Sequence, residues 1–214
     1  MRKLSIIMIF LLGIYAFAKS PELDKGISYA NKNDFKNAEK YFKQAYEKGD
    51  PEAAFELGLL YYENKKYDLS EKYLKIGSDA GDDLASFGLG SLYLEQGKND
   101  LGEKYLKLSA ERGNKNAIYD LAAFYFATKK DYTNAKKYAK IASDGGNIAG
   151  TNLLGTIYSE QGDNKSAEKY WKQAADKKDP AAIYNLIKLY EEQNKPQLME
   201  KYMKMFESLE GFKK

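Results

Sequence analysis

A leucine and a tyrosine four residues apart return through this chain at a fixed interval. Leu57-Gly58-x-x-Tyr61 comes back as Leu89-Gly90-x-x-Tyr93, Leu121-Ala122-x-x-Tyr125, Leu154-Gly155-x-x-Tyr158 and Leu186-Ile187-x-x-Tyr190. A second column runs Tyr41, Tyr73, Tyr105, Tyr138, Tyr170 and Tyr202, at spacings of 32, 32, 33, 32 and 32 residues. Such a period marks stacked supersecondary units, each too small to bury its own apolar face. Six units follow, at residues 21–50, 51–82, 83–114, 115–147, 148–179 and 180–214. The one extra residue falls in the turn containing Thr128–Asp131.

Each unit reads as two helices. In the first, Ala54, Leu57 and Tyr61 recur at helical spacing, with Phe55 and Leu59 beside them. Asp50-Pro51 and Asp179-Pro180 open two first helices as N-cap and first-turn proline. Asp34, Asp131 and Asp163 cap three second helices, whose apolar side carries Tyr73, Leu74 and Gly77 and their equivalents. Gly49, Gly81, Gly113 and Gly146 follow the second helices, where a left-handed residue ends a helix, and Lys178 takes that place in the fifth unit. Two columns of small residues mark close helix–helix contact: Ala38, Ser70, Gly102, Ala135, Ala167, and Ala45, Gly77, Ser109, Ala142, Ala174. The last unit breaks both with Met199 and Phe206, bulk that suits a capping repeat.

Composition removes whole classes of chemistry. The 214 residues contain no Cys and no His, which excludes disulfides, thiol catalysis and the commonest general base and zinc ligand. No cofactor or metal is expected. Residues 1–18 differ from the rest. Arg2 and Lys3 precede an apolar run to Tyr15, and Ala16-Phe17-Ala18 has the small-x-small form of a cleavage site. This describes a secretory signal peptide, too short for the roughly 20 residues a bilayer demands. Cleavage leaves a single domain from residue 19 to 214, exported to the periplasm or secreted, with no stable membrane insertion. It also leaves 32 basic against 31 acidic groups, a balance that makes no electrostatic case for nucleic acid.

The order of small and large residues in Leu57-Gly58-x-x-Tyr61, Ser70, Leu74 and Gly77 resembles that of tetratricopeptide repeats. The outer connection, as in Ala110-Glu111-Arg112-Gly113-Asn114-x-x-Ala117-x-x-x-Leu121, resembles the shorter join of Sel-one-like repeats. The resemblance spans almost the whole chain beyond residue 18. It implies an all-α, right-handed superhelical solenoid of about six helix-turn-helix repeats whose first helices build a concave face that holds proteins or peptides. Exported Sel-one-like proteins often carry a disulfide in each repeat, and this chain departs from that pattern.

Mapped onto such a superhelix, the concave face carries Leu23, Ile27, Phe55, Leu59, Tyr62, Phe87, Leu94, Tyr119, Phe126 and Tyr184. Phe55, Tyr62, Phe87, Leu94, Tyr119 and Phe126 are the candidate partner-binding residues, with packing between neighbouring first helices as the alternative use. Glu63, Glu95, Glu160 and Glu192 form a column near the first helices' ends, read as a solvated surface, an acidic rim or, least of all, paired catalytic carboxylates. The resemblance also raises a cell-wall or β-lactam-related hydrolase. Ser166-Ala167-Glu168-Lys169 has the required Ser–Lys spacing, but Lys169 belongs to a column with Lys40, Lys72, Lys104, Lys137 and Lys201, and the companion motifs are missing from the sequence. Interleaved Tyr and Lys reflects one helix's inside and outside, and Gly145-Gly146 lies in a helix–helix turn. The expectation is a non-enzymatic scaffold.

Overall fold

The computed structural model describes residues 20–210; the expected signal peptide and its cleavage site lie outside the described residues. The described residues are all helical apart from turns, with twelve α-helices, and the chain divides at residue 98 into two compact units within each of which consecutive helices pack. This is the all-α repeat-solenoid class.

The first unit contains α1 (Pro21–Ala30), α2 (Phe35–Glu47), α3 (Ala53–Glu63), α4 (Tyr67–Asp79) and α5 (Asp83–Glu95). Helices α1 and α2 pack as a hairpin, α3 and α4 as the next, and α5 follows on α4 while also meeting α3. Leu23, Phe42, Leu57, Leu60 and Tyr61 are buried in its core with the small residues Ala38 and Ala45. Close approach is obtained by pairing the glycine of the first helix with bulk on the second. A Cβ at Gly58 would stand 2.6 Å from the Leu74 side chain, and one at Gly26 2.3 Å from the Phe42 ring.

The second unit contains α6 (Asn99–Glu111), α7 (Lys115–Phe124), α8 (Tyr132–Asp144), α9 (Ile148–Glu160), α10 (Asn164–Ala175), α11 (Pro180–Glu192) and α12 (Pro196–Glu210). Helices α7/α8, α9/α10 and α11/α12 form hairpins. In its core Trp171 lies against Gly155, where a Cβ would meet the indole at 2.4 Å. Met199, Phe206 and Ile187 are half-buried on the cluster of Trp171, Ile183, Leu186 and Tyr190.

Local chemistry explains where the helices start and stop. Asp34, Asp131, Asp163 and Asp179 each accept a backbone N–H of the following turn, as does Asn114 before α7. The expected Asp50 cap is shifted: α3 begins at Ala53, and the Asp50 carboxylate accepts from the Glu52 N–H and, at 2.7 Å, from the Ser20 N–H. Gly49, Gly81, Gly113 and Gly146 all have positive φ, and Lys178 holds φ 62° in their fifth position. A second left-handed column, Asn33, Lys65, Gly97, Lys130, Gly162 and Asn194, ends the first helices.

The extra residue of the fourth repeat lies in a helical turn that overlaps the expected Thr128–Asp131 segment. Residues Tyr125–Lys129 form a π-helical turn continuous with α7. In five repeats the closing N–H reaches back five residues, as from Asp34 to Tyr29 and Lys66 to Tyr61. In the fourth, Asp131 reaches back six, to Tyr125, at 2.9 Å. The helix absorbs the insertion by widening one turn, which keeps Tyr125 in register.

Candidate functional site

The tyrosine columns form the structural spine. Five first-helix tyrosines stack on the Tyr of their second helix: Tyr29 on Tyr41, Tyr61 on Tyr73, Tyr125 on Tyr138, Tyr158 on Tyr170 and Tyr190 on Tyr202, at centroid distances of 5.4–5.7 Å. The column of Lys40, Lys72, Lys104, Lys137, Lys169 and Lys201 places each ammonium 5.2–5.5 Å over the next residue's ring. Lys169 is therefore engaged on Tyr170, and the Ser166 hydroxyl donates to Asp163 at 2.7 Å. That accounts for the Ser–Lys spacing by capping and stacking.

A feature that the tyrosine columns alone do not reveal is a latch between successive hairpins. The Tyr61 hydroxyl donates to Glu39 at 2.9 Å, Tyr93 to Glu71 at 2.9 Å, Tyr125 to Glu103 at 2.6 Å and Tyr190 to Glu168 at 2.8 Å. Lys43, Lys107 and Lys172 bind three of the same carboxylates from one helical turn away. The Lys43 and Lys172 hydrogen bonds are the main reason Glu39 and Glu168 titrate below the usual carboxylate range. Glu103 is lowered against the opposing effect of its burial by Lys107 and Tyr125. In the fourth repeat Lys136 replaces the glutamate, and its ammonium lies 5.2 Å from the Tyr158 ring instead. The signal was present as Glu twenty-two residues before Tyr61, Tyr93, Tyr125 and Tyr190, hidden among many surface Glu and Lys.

On the first-helix face of the first unit, Tyr62 is 38% exposed, while Phe55, Phe87 and Leu94 are half-buried. The Tyr62 hydroxyl donates to Glu95 of α5 at 2.6 Å, which raises its pKa, and its ring meets Tyr67 edge-on at 6.0 Å. This links α3 to α5 across the exposed face. Leu23, expected on the face, is completely buried in the core instead, because α1 turns it toward α2 and α3. Ile27 and Leu59 line a hollow of about 380 Å³ with Ala30, Phe42 and Leu60, edged by Asn31, Asn33, Glu56 and Glu63.

In the second unit Tyr119 and Phe126 are half-buried, and Tyr184 is 52% exposed. Phe126 lies in the π-helical turn, 6.0 Å from Tyr132, with the Lys130 ammonium 5.7 Å from its ring. Further along, Asn185 donates to Asn152 at 3.2 Å, a polar link between α11 and α9. Burial raises the pKa of the Asp120 carboxyl on α7. Glu63, Glu95, Glu160 and Glu192 are all exposed. Among the described residues there is no group of carboxylates fit to hold a metal, and no helix long and apolar enough to cross a membrane.

Two segments match tetratricopeptide-repeat family profiles, residues 23–83 and residues 152–176. The fold is that of several solved solenoids. A protective antigen of uropathogenic Escherichia coli with an SLR fold superposes with a TM-score of 0.69 at 23% identity, over 86% of this chain and 44% of that one. The chain thus spans under half the length of that antigen. A Sel1 repeat protein from Oxalobacter formigenes gives 0.66 at 21% identity, over 88% of this chain and 86% of that one. PilF of Pseudomonas aeruginosa gives 0.70 at 14% identity, over 88% and 90%. No curated protein matches in sequence. Two segments are thus similar to tetratricopeptide repeats, and the solved structures share this chain's fold.

Proposed function

We propose that the protein is an exported, non-catalytic scaffold that binds a protein or peptide along the face built by its first helices, with Phe55, Tyr62, Phe87, Leu94, Tyr119 and Phe126 as the contact residues. Tyr62 carries the reading. This aromatic residue is 38% exposed. It is also held in place, by Glu95 on one side and Tyr67 on the other. A pre-ordered, amphipathic aromatic is the kind of side chain that dominates protein interfaces, because little entropy is lost when it is covered. The stacked rings fix the two helices of a hairpin and the latches fix one hairpin on the next, which serves the same end. Export rests on the charged and apolar start of the sequence and on Ala16-Phe17-Ala18.

Site-specific photocrosslinking in the native envelope tests the assignment. A photoreactive phenylalanine at position 62 is expected to capture a discrete partner, whereas the same group at position 141, 44% exposed on the second helix α8, captures none. Equal capture from both positions, or from neither, contradicts it. Terminal sequencing of the same material is expected to begin at Lys19; an intact Met1 in a cytoplasmic pool overturns export.

A further inference from the structure

Four joints between successive hairpins hold a latching glutamate, and the joint between α8 and α9 holds none. At Glu39, Glu103 and Glu168 the carboxylate accepts from the tyrosine of the next hairpin and from the lysine one turn along its own helix. On α8 the glutamate's place is taken by Lys136, while the lysine and the tyrosine are kept as Lys140 and Tyr158. Tyr158 is engaged through its ring, stacked on Tyr170 and 5.2 Å from the Lys136 ammonium, and among the described residues no carboxylate accepts from its hydroxyl. It is half-buried, where Tyr61, Tyr93, Tyr125 and Tyr190 are buried. The joint is also cationic, since α8 carries Lys136, Lys137 and Lys140 against Asp144 alone. Asp144 binds Lys140 as an exposed pair. Asp163 is occupied in capping α10: its oxygens accept from the Ser166 N–H and hydroxyl at 3.0 and 2.7 Å, and the Lys136 charge acts on it from farther away.

We infer that an external carboxylate completes this joint, accepting from the Tyr158 hydroxyl and the Lys136 ammonium as a glutamate does in the other joints, with Lys140 as a second cation. The chain itself supplies the precedent: the same hydroxyl and lysine positions hold a carboxylate at three other joints. Hydrogen bonds from a hydroxyl and an ammonium to an ionised carboxylate are charge-assisted, and roughly twice as strong as neutral ones. The donor is also fixed beforehand, because Tyr158 stacks on Tyr170 at 5.5 Å and little freedom remains to be lost. The group comes either from a small free organic acid or from an acidic side chain of a partner. In both cases its binding fastens α8 to α9 and stabilises the folded chain by linkage. None of these residues belongs to the binding face proposed above, so the two readings stand or fall separately.

Two probes separate the sources: succinate for a free acid, and a blocked Gly-Glu-Gly peptide for an acidic side chain. Each is titrated into the isotopically labelled full mature chain at constant ionic strength, with chloride as the balancing anion, and amide shifts are followed by NMR. Saturable shifts at residues around positions 136 and 158 are expected from at least one probe, and none from chloride. Tighter binding of succinate assigns a free acid, and tighter binding of the peptide assigns a partner's side chain. Lys136→Gln should weaken the binding about tenfold. Lys169→Gln, which removes a like charge from α10, should leave it unchanged. Tyr158→Phe should weaken it severalfold while the melting temperature of the free protein stays the same, because the hydroxyl has no carboxylate to lose. Equal loss from Lys136→Gln and Lys169→Gln, or no saturable shift from either probe, overturns the inference. An early melt of free Tyr158→Phe overturns it too, since the hydroxyl would then already be serving the fold.

Discussion

At the scale of single residues, two devices hold the helices together: a ring that stacks within a hairpin, and a hydroxyl that donates to a carboxylate of the preceding hairpin. Each latch joins a buried Tyr to a partly exposed Glu, so its contribution is modest, about 0.5–1 kcal/mol. Its pH dependence follows from sign. The folded pKa values of Glu39, Glu103 and Glu168 lie below the unfolded value near 4.3, so their stabilisation is present above that value and is lost as pH falls through the folded pKa. Stability is therefore expected to decline below about pH 4.5, and the Glu39→Gln, Glu103→Gln, Glu168→Gln triple variant should show a shallower decline in urea melts across pH 3–7. Identical slopes would show that these carboxylates do not drive acid loss. At the alkaline end, Tyr190, pushed up to about 12 chiefly by burial, stabilises below its unfolded value near 10 and loses that contribution as pH rises toward 12.

Residue chemistry also decides which turns could be read in advance. The column Gly49, Gly81, Gly113, Gly146 announces positive φ because glycine alone adopts it freely. The column ending the first helices mixes Gly97 and Gly162 with Asn, which tolerates positive φ, and Lys, which rarely adopts it, so it was legible only in part. Gly113→Val is expected to destabilise by more than about 1 kcal/mol, since a β-branched residue resists the φ of 98° found there. Lys178→Gly should instead stabilise by up to about 1 kcal/mol by relieving the strain at φ 62°. Paired denaturant melts check both.

At the scale of the element, the π-helical turn at Tyr125–Lys129 is where spacing and structure part company. A 33-residue interval shows that one residue has been added, but loops tolerate additions so readily that a turn is the natural place to put it. The helix took it instead, because Tyr125 must still stack on Tyr138 and reach Glu103. Deleting the exposed Thr128 should convert the π turn to an ordinary one and change the melting temperature by only a few degrees. Deleting Gly162, whose φ of 79° closes the corresponding turn of the next repeat, should cost far more. Equal effects would mean that the widened turn is not the inserted residue.

Across the whole molecule, the repeat period made the fold legible: two registered tyrosine columns left room for little except stacked helical hairpins. The candidate site was legible only in part. Helical periodicity identifies which residues share a side of a first helix, but not how far a neighbouring first helix covers them. Hence Leu23 is core, Phe55, Phe87, Leu94, Tyr119 and Phe126 are half-covered, and Tyr62 is open. The hollow beside α3 was harder still, since its lining comes from three helices and from no single motif.

Tyr62 therefore offers the most direct test of a binding face built by the first helices. With the crosslinked partner in hand, calorimetric titration into the wild-type protein and Tyr62→Ser, with melts of the same samples, separates contact from packing. The account predicts a loss of affinity of about 2 kcal/mol or more with the melting temperature almost unchanged, as for an exposed aromatic hot spot. Unchanged affinity, or a fall in stability of about 2–5 kcal/mol as for a truncated core side chain, would contradict it.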